Sequence, residues 1–146
     1  MTTINKPLIF GGMLSVIAAL LHVAIIIGGP DWYRFFGAGE EMAVMAEAGS
    51  WYPPIITSGI AIILFTWALY AFSGAGIIRK LPLLKLGLTL ISMIYLIRGL
   101  VIIPAYFFMP EVLDNFLIWS SFICLAYGVS YSIGTKQIWT QRQKNE

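Results

Sequence analysis

The chain has 146 residues, of which 59% are apolar and 11% are charged, and its mean hydropathy is +0.84. The charged share is about half that of a typical soluble domain, which excludes a disordered chain and a nucleic-acid-binding protein with a basic surface. The only cysteine, Cys124, cannot form an internal disulfide, which excludes a disulfide-stabilised scaffold. These numbers predict one membrane-embedded domain that covers residues 1–146.

Four long apolar runs predict four membrane-spanning helices. A hydrocarbon core about 30 Å thick requires about 20 consecutive apolar residues in helical form. Runs of this length cover residues 8–28, 54–78, 84–105 and 116–135. We expect helices because each helix satisfies its own backbone hydrogen bonds, and the runs lack the alternating polar pattern of a membrane barrel. The predicted fold class is therefore all-α, an integral membrane four-helix bundle.

The first connection, residues 29–53, is too long for a simple turn and has its own pattern. Residues 31–36 are mostly aromatic, and residues 40–48 are good helix formers with both apolar and acidic positions. This pattern predicts a short helix that lies on the outer membrane interface. It serves either as a cap on the bundle or as a lid, and its lid or ion-pair candidates are Glu40, Glu41 and Glu47.

The basic residues predict the orientation of the four spans. Seven of the nine lie before the first run, in the turn between the second and third runs or at the second position of the third run, or after the fourth run, and four spans bring these segments to one side. They are Lys6, Arg79, Lys80, Lys85, Lys136, Arg142 and Lys144. The two opposite loops carry net charges of −3 and −2. The positive-inside rule therefore predicts that both termini lie in the cytoplasm.

Arg98 and His22 lie well inside the predicted spans, and they lie at similar depth. Arg98 is six residues before Pro104, and His22 is six residues before Gly28 on a helix that runs in the same direction. An arginine at the centre of a spanning helix costs about 2.5–3.5 kcal/mol, so Arg98 requires a partner or water. The other polar or aromatic candidates near this depth are Thr57, Tyr95, Trp119 and Ser120.

These residues suggest a cavity that opens toward the outer leaflet, with Arg98 as an anchor for an anion and His22 as a titratable wall. Two structural alternatives remain open. In the first alternative, Arg98 extends outward and pairs with one of the loop carboxylates, Glu40, Glu41, Glu47 or Glu111. In the second alternative, His22 has no role in binding and makes only an interhelical hydrogen bond.

The missing motifs argue against most enzyme chemistries. A single histidine argues against a bis-histidine haem, and the spans hold neither a metal-binding cluster nor a pair of carboxylates. We therefore predict no catalytic residue, no metal and no cofactor. The expected partners are membrane lipids, with a homo-oligomer or a larger membrane complex as further candidates and no nucleic acid. Small residues at every fourth position, Gly11, Ser15 and Ala19, provide a surface for close helix packing.

Several strings of the sequence resemble those of small bacterial inner-membrane proteins with four helices that have no assigned activity. They are LH at 21–22, GGPDWYRFFG at 28–37, SGAG at 73–76, LPLL at 81–84 and RGL at 98–100. The resemblance covers most of the chain. It implies a four-helix architecture in a bacterial cytoplasmic membrane and implies no function.

Three functions are consistent with these observations. The first is that the protein binds, or binds and transports, a small amphiphile, lipid or anionic ligand from the outer side. The second is an accessory subunit of a larger membrane complex that packs through the small-residue surface. The third is an amphiphile-modifying enzyme in which His22 acts as acid or base.

Overall fold

The structure is a computed structural model that describes residues 4–143, with the side chains of residues 4–140. Lys144, part of the predicted basic tail, lies outside the described residues. The structure is 82% helical, and no strand occurs in the part of the chain that it describes. Its helices are α1 (Lys6–Gly28), α2 (Pro30–Phe35), α3 (Glu40–Glu47), α4 (Tyr52–Gly74), α5 (Leu84–Leu100), α6 (Ile102–Phe108) and α7 (Asn115–Gln143), with a 3-10 turn at Pro110–Val112.

Four helical segments are long and apolar enough to cross a membrane, which confirms the all-α class and the number of candidate spans. They are Lys6–Gly28, Tyr52–Gly74, Leu84–Phe108 and Asn115–Thr140. The third segment joins α5 and α6, because Val101 and Ala105 donate helical hydrogen bonds to Ile97 and Val101. The helix observed over Glu40–Glu47 also matches the short helix predicted in the first connection. Its place at a membrane interface stays a prediction.

The second long helix ends at Gly74, four residues before the end of its apolar run. Gly76 has φ +80°, and its N–H binds the carbonyl of Ser73, while the N–H of Ile77 binds the carbonyl of Phe72. This pair of hydrogen bonds is a Schellman motif, which stops a helix at a residue with positive φ. The backbone conformation at Gly76 therefore ends α4, although the apolar run continues beyond this point.

The internal contacts of the chain divide it into two compact units. The larger unit comprises Met1–Leu14 and Trp67–Glu146, and the smaller unit comprises Ser15–Thr66. The division falls within α1 and α4, so it does not by itself mark a domain boundary. The single domain stays a prediction.

Within the larger unit, α5 and α7 approach each other closely at two glycines. A Cβ on Gly99 would lie 2.6 Å from Leu125 Cγ and 2.8 Å from the Leu125 backbone nitrogen. A Cβ on Gly128 would lie 2.7 Å from Leu96 Cδ2 and 3.0 Å from its backbone nitrogen. Small residues permit such contacts between helices in membranes. Side chains on the two helices can therefore meet directly.

Buried polar side chains make further contacts across the larger unit. Asn5 donates from Nδ2 to the Gly134 carbonyl at 2.8 Å and accepts the Leu8 N–H at 3.2 Å. The hydroxyls of Ser92 on α5 and Thr135 on α7 lie 3.4 Å apart. These bonds satisfy polar groups that would otherwise be costly in an apolar surrounding. They also fix which faces of α5 and α7 meet.

Within the smaller unit, α2 and α3 pack around a small core of Ile25, Tyr33 and Ala43. Tyr33 is 1% exposed and Ala43 is fully buried. The sequence did not predict α2, which starts with Pro30 at a helix N-terminus, where proline is favoured. It is followed by Gly37 with φ +69° in a second Schellman motif.

The close contact at Gly99 predicts an unequal response to two glycine-to-alanine changes. Gly99→Ala should destabilise the protein by about 1–3 kcal/mol, because the new methyl group meets the Leu125 backbone. The matched control is Gly59→Ala on α4, where a Cβ meets nothing within 4 Å. It should be neutral or stabilising by up to about 1 kcal/mol. Unfolding in maltoside micelles, followed by circular dichroism, measures both. Equal stability of the two variants would contradict the close contact.

Candidate functional site

Arg98 lies near the end of α5, inside the third candidate span, and its guanidinium group contacts α7. Nη2 donates to Ser120 Oγ at 3.0 Å, and Nη1 donates to Ser121 Oγ at 3.4 Å. Ser120 in turn donates its hydroxyl to the carbonyl of Leu117 at 3.2 Å. The neighbouring Gly99 allows this approach, because it removes the side chain that would separate the two backbones. Two predicted site residues, Arg98 and Ser120, are therefore in direct contact.

The charge of Arg98 is not balanced within the larger unit. The carboxylates described there are Glu111 and Asp114, and neither forms an ion pair with Arg98 within 4 Å. Asp114 instead accepts the Leu117 N–H at 2.6 Å and so caps the start of α7. Serine hydroxyls supply hydrogen-bond acceptors but no negative charge, and a guanidinium has several donors in a fixed planar arrangement. Arg98 is thus an oriented cation that can accept an anion.

An apolar groove of about 460 Å³ begins one helical turn beyond Arg98. It lies between α6, the 3-10 turn and the start of α7, and we call it the α6–α7 groove. Its walls include the apolar residues Val101, Ala105 and Leu117 and one charged residue, Asp114. Leu117 links the groove to the cation, since its carbonyl accepts the hydroxyl of Ser120, which binds Arg98. The volume is in the range of about 300–1,000 Å³ that is usual for small-molecule sites.

Tyr95 lies one turn before Arg98 and is part of a buried aromatic cluster. Its ring centroid is 4.9 Å from that of Trp67, 5.0 Å from that of Tyr127 and 5.4 Å from that of Tyr131. Tyr127 and Tyr131 donate their hydroxyls to the carbonyls of Leu14 and Trp67. These ring contacts give Tyr95 a packing role between α4, α5 and α7. The spacing of Tyr127 and Tyr131, four residues apart on α7, is the signal by which the sequence could have revealed the cluster.

The remaining aromatic candidate, Trp119, precedes Ser120 on α7. Its side chain is 69% exposed, so it does not line an enclosed cavity. Ser121, the next residue after Ser120 on α7, is 1% exposed and contacts Arg98.

The candidates in the smaller unit have local partners. His22 Nδ1 lies 2.7 Å from the carbonyl of Ala18, one turn earlier on α1, so Nδ1 carries the proton and donates it. Thr57 is buried and donates its hydroxyl to the phenolic oxygen of Tyr33 at 3.3 Å. Both contacts are structural.

Two of the three acidic candidates of the first connection, Glu40 and Glu47, bind Arg34, a residue that was not among the predicted site residues. Arg34 Nε lies 3.0 and 2.9 Å from the two carboxylate oxygens of Glu40, and Nη2 lies 2.7 Å from Oε1. Its Nη1 binds Glu47 Oε1 at 2.7 Å and lies 3.6 Å from Asp31 Oδ1. The glycine turn after α2 places Arg34 between the two ends of α3. The hydrogen bonds from Arg34 lower the pKa of Glu40, and those from Glu40 and Glu47 raise the pKa of Arg34.

Comparisons with protein-family models, with curated proteins and with solved structures give no match for this chain.

The Arg34 contacts predict a pH-dependent stability of α3. Because the pKa of Glu40 is lowered in the folded protein, the ion pair stabilises α3 above the ordinary pKa of 4.5, and this stabilisation is lost as the pH falls through the lowered value. Glu40→Gln should therefore speed hydrogen exchange of the amides in α3 at neutral pH. At a pH below the lowered pKa of Glu40, the variant and the unmodified protein should converge.

Glu41→Gln is the matched control, since Glu41 is the adjacent exposed carboxylate and Arg34 does not pair with it. It should leave the exchange rates unchanged. Faster exchange in both variants would mean that general charge at the start of α3, and not the Arg34 contact, stabilises the helix.

Proposed function

We propose that this protein is a multi-pass membrane protein that binds a small amphiphile with an anionic group. Arg98 binds the anionic group, and the α6–α7 groove takes the apolar part. The proposal also places the protein in a bacterial cytoplasmic membrane with both termini in the cytoplasm, so that the Arg98 end of α5 lies in the outer leaflet.

One observation carries the proposal, namely that in the described part of the chain the side-chain contacts of this cation inside a candidate span are with neutral hydroxyls. A purely structural arginine in an apolar surrounding would be expected to bind a carboxylate, because the cost of an unbalanced charge is large there. Ser120 and Ser121 fix the orientation of Arg98 without neutralising it. An anionic ligand would supply the missing charge, and charge-assisted hydrogen bonds to a planar guanidinium are among the stronger polar contacts.

The apolar groove next to this cation supports an amphiphile over a free ion. Val101 and Ala105 follow Arg98 at one and two helical turns along the same helical segment, and both line the groove. A ligand with its anionic group on Arg98 could therefore extend its apolar chain along these residues. Burial of such a chain contributes about 0.8 kcal/mol for each CH₂ group.

The two alternatives from the sequence receive less support. The small-residue surface proposed for a subunit contact is occupied within the chain, because a Cβ on Gly11 would lie 2.9 Å from the Tyr131 ring, and Ser15 and Ala19 are buried. For an enzymatic role of His22, the contact that the structure shows is structural, because its Nδ1 donates to the carbonyl of Ala18. Binding of an amphiphile is the function that the contacts favour.

The test uses dodecyl phosphate as the probe and dodecanol as its neutral analogue, with protein in maltoside micelles and affinity measured by native mass spectrometry. We expect the protein to prefer dodecyl phosphate. Arg98→Gln should weaken that binding by about 10- to 100-fold, the effect of losing a hydrogen bond to a charged group. It should also remove the preference over dodecanol. The variant should remain folded, because a neutral side chain costs less than arginine in a span.

Arg79→Gln is the control, because Arg79 is an exposed cation in the turn after α4. It should bind both probes as the unmodified protein does. Equal weakening by both variants would contradict a specific site at Arg98, as would unchanged binding in Arg98→Gln.

A further inference from the structure

We propose that a second groove, between the lysine-bearing ends of α5 and α7, binds the headgroup of an anionic phospholipid. This α5–α7 groove has a volume of about 450 Å³. It is lined by Thr89 and Ser92 from α5 and by Ser132, Thr135, Lys136 and Trp139 from α7. It shares no residue with the α6–α7 groove or with the contacts of Arg98, so it is independent of the function proposed above.

Two cations lie at one end of the α5–α7 groove. Lys136 is exposed and forms part of the wall. Lys85 Nζ lies 4.4 Å from the centroid of the Trp139 ring, and Trp139 is itself a wall residue. A cation above an indole ring is held by the ring's electrostatic attraction. Trp139 therefore keeps Lys85 at the same end of the groove as Lys136.

Among the residues that the structure describes, no carboxylate lines the groove, so no described wall residue neutralises either lysine. The two carboxylates described in the larger unit, Glu111 and Asp114, lie in the connection that precedes α7, whereas Lys136 lies 21 residues into that helix. Basic pockets between spanning helices are a recognised type of site for anionic lipid headgroups. The charge of the groove thus favours a phosphate-bearing partner.

Hydroxyl groups continue from the lysines into the groove. The hydroxyls of Ser92 and Thr135 meet across the two helices at 3.4 Å, so they form a polar floor. Thr89 and Ser92 donate their hydroxyl protons to the carbonyls of Lys85 and Leu88, which leaves their oxygens as acceptors. A phospholipid headgroup with free hydroxyls, such as glycerol, has donors for these oxygens. Its phosphate would bind the lysines.

The groove becomes apolar with distance from the lysines, which is the polarity profile of a lipid. Its far wall is formed by Met93 and Leu96 on α5. Leu96 follows Lys85 by eleven residues, about 16 Å along a helix. Met93 is 51% exposed and so offers apolar surface to an acyl chain. A free phosphate ion would use only the lysine end, and we therefore assign the groove to an intact phospholipid.

The test measures binding of phosphatidylglycerol and of phosphatidylcholine with the same acyl chains, by native mass spectrometry of the full chain in maltoside micelles. The protein should prefer phosphatidylglycerol. Lys136→Gln and Lys85→Gln should each weaken its binding by about fivefold, and the double variant by about 30-fold, as expected for one surface cation each. Binding of phosphatidylcholine should change little.

Lys80→Gln is the matched control, since Lys80 is an exposed cation in the turn before α5 and does not line the groove. It should have no effect. A loss equal to that of Lys136→Gln would show diffuse attraction of lipid to all cations, and this result would overturn the site. Equal affinity for the two lipids would do the same.

Two further measurements leave the charge of the protein unchanged: one tests the groove itself, and the other distinguishes an intact lipid from a soluble phosphate. Ser132→Leu narrows the groove and should reduce binding of phosphatidylglycerol, with its folding checked by circular dichroism. Should that variant not fold, the lysine variants decide, because Lys136 is exposed and Gln retains most of its length. Glycerol phosphate should not displace the lipid. Displacement at comparable concentrations would mean that the groove binds a soluble phosphate and would overturn the assignment to an intact lipid.

Discussion

Gly99 on α5 and Gly128 on α7 let the backbones of these two helices approach until side-chain and backbone atoms are in contact. Most of the polar geometry of the larger unit depends on this approach. It brings Arg98 to Ser120 and Ser121. It also packs the ring of Tyr95 against those of Tyr127 and Tyr131, and it places Ser92 beside Thr135. These contacts and the α5–α7 groove follow from one interface: Arg98 binds at one end, and the lysine-bearing groove lies at the other.

The electrostatic consequence of this interface is that its cations contact neutral groups. Arg98 binds hydroxyls, and Lys85 contacts an indole ring. Arg34, in the smaller unit, shows the contrasting case, because Glu40 and Glu47 satisfy it directly. The exposed connection thus balances its arginine internally, while the α5–α7 interface holds positive charge that lacks an internal counterion. Positive charge between apolar helices is suited to an anion that carries an apolar chain.

The sequence predicts the parts of this structure that depend on composition along the chain. Runs of apolar residues locate the four long helices, and the pattern at 40–48 locates α3. Counting residues from Pro104 places Arg98 near the depth of Ser120. The sequence does not reveal contacts that depend on turns or on which helix faces meet. The pairing of Arg34 with Glu40 requires the turn at Gly37, the end of α4 requires the positive φ of Gly76, and the α5–α7 groove requires the rotation of both helices.

The proposed function requires that the guanidinium of Arg98 binds an external anion and not a carboxylate of the protein. Solid-state NMR tests it most directly, by measuring dipolar coupling between the ¹⁵N-labelled guanidinium and ³¹P of dodecyl phosphate in bilayers, with the Arg98 signal assigned from an Arg98→Lys sample. We expect strong coupling to phosphorus, because charge-assisted hydrogen bonds hold guanidinium nitrogens about 2.7–2.9 Å from phosphate oxygens. Absence of phosphorus coupling together with strong coupling to a ¹³C-labelled Asp or Glu carboxylate would contradict it.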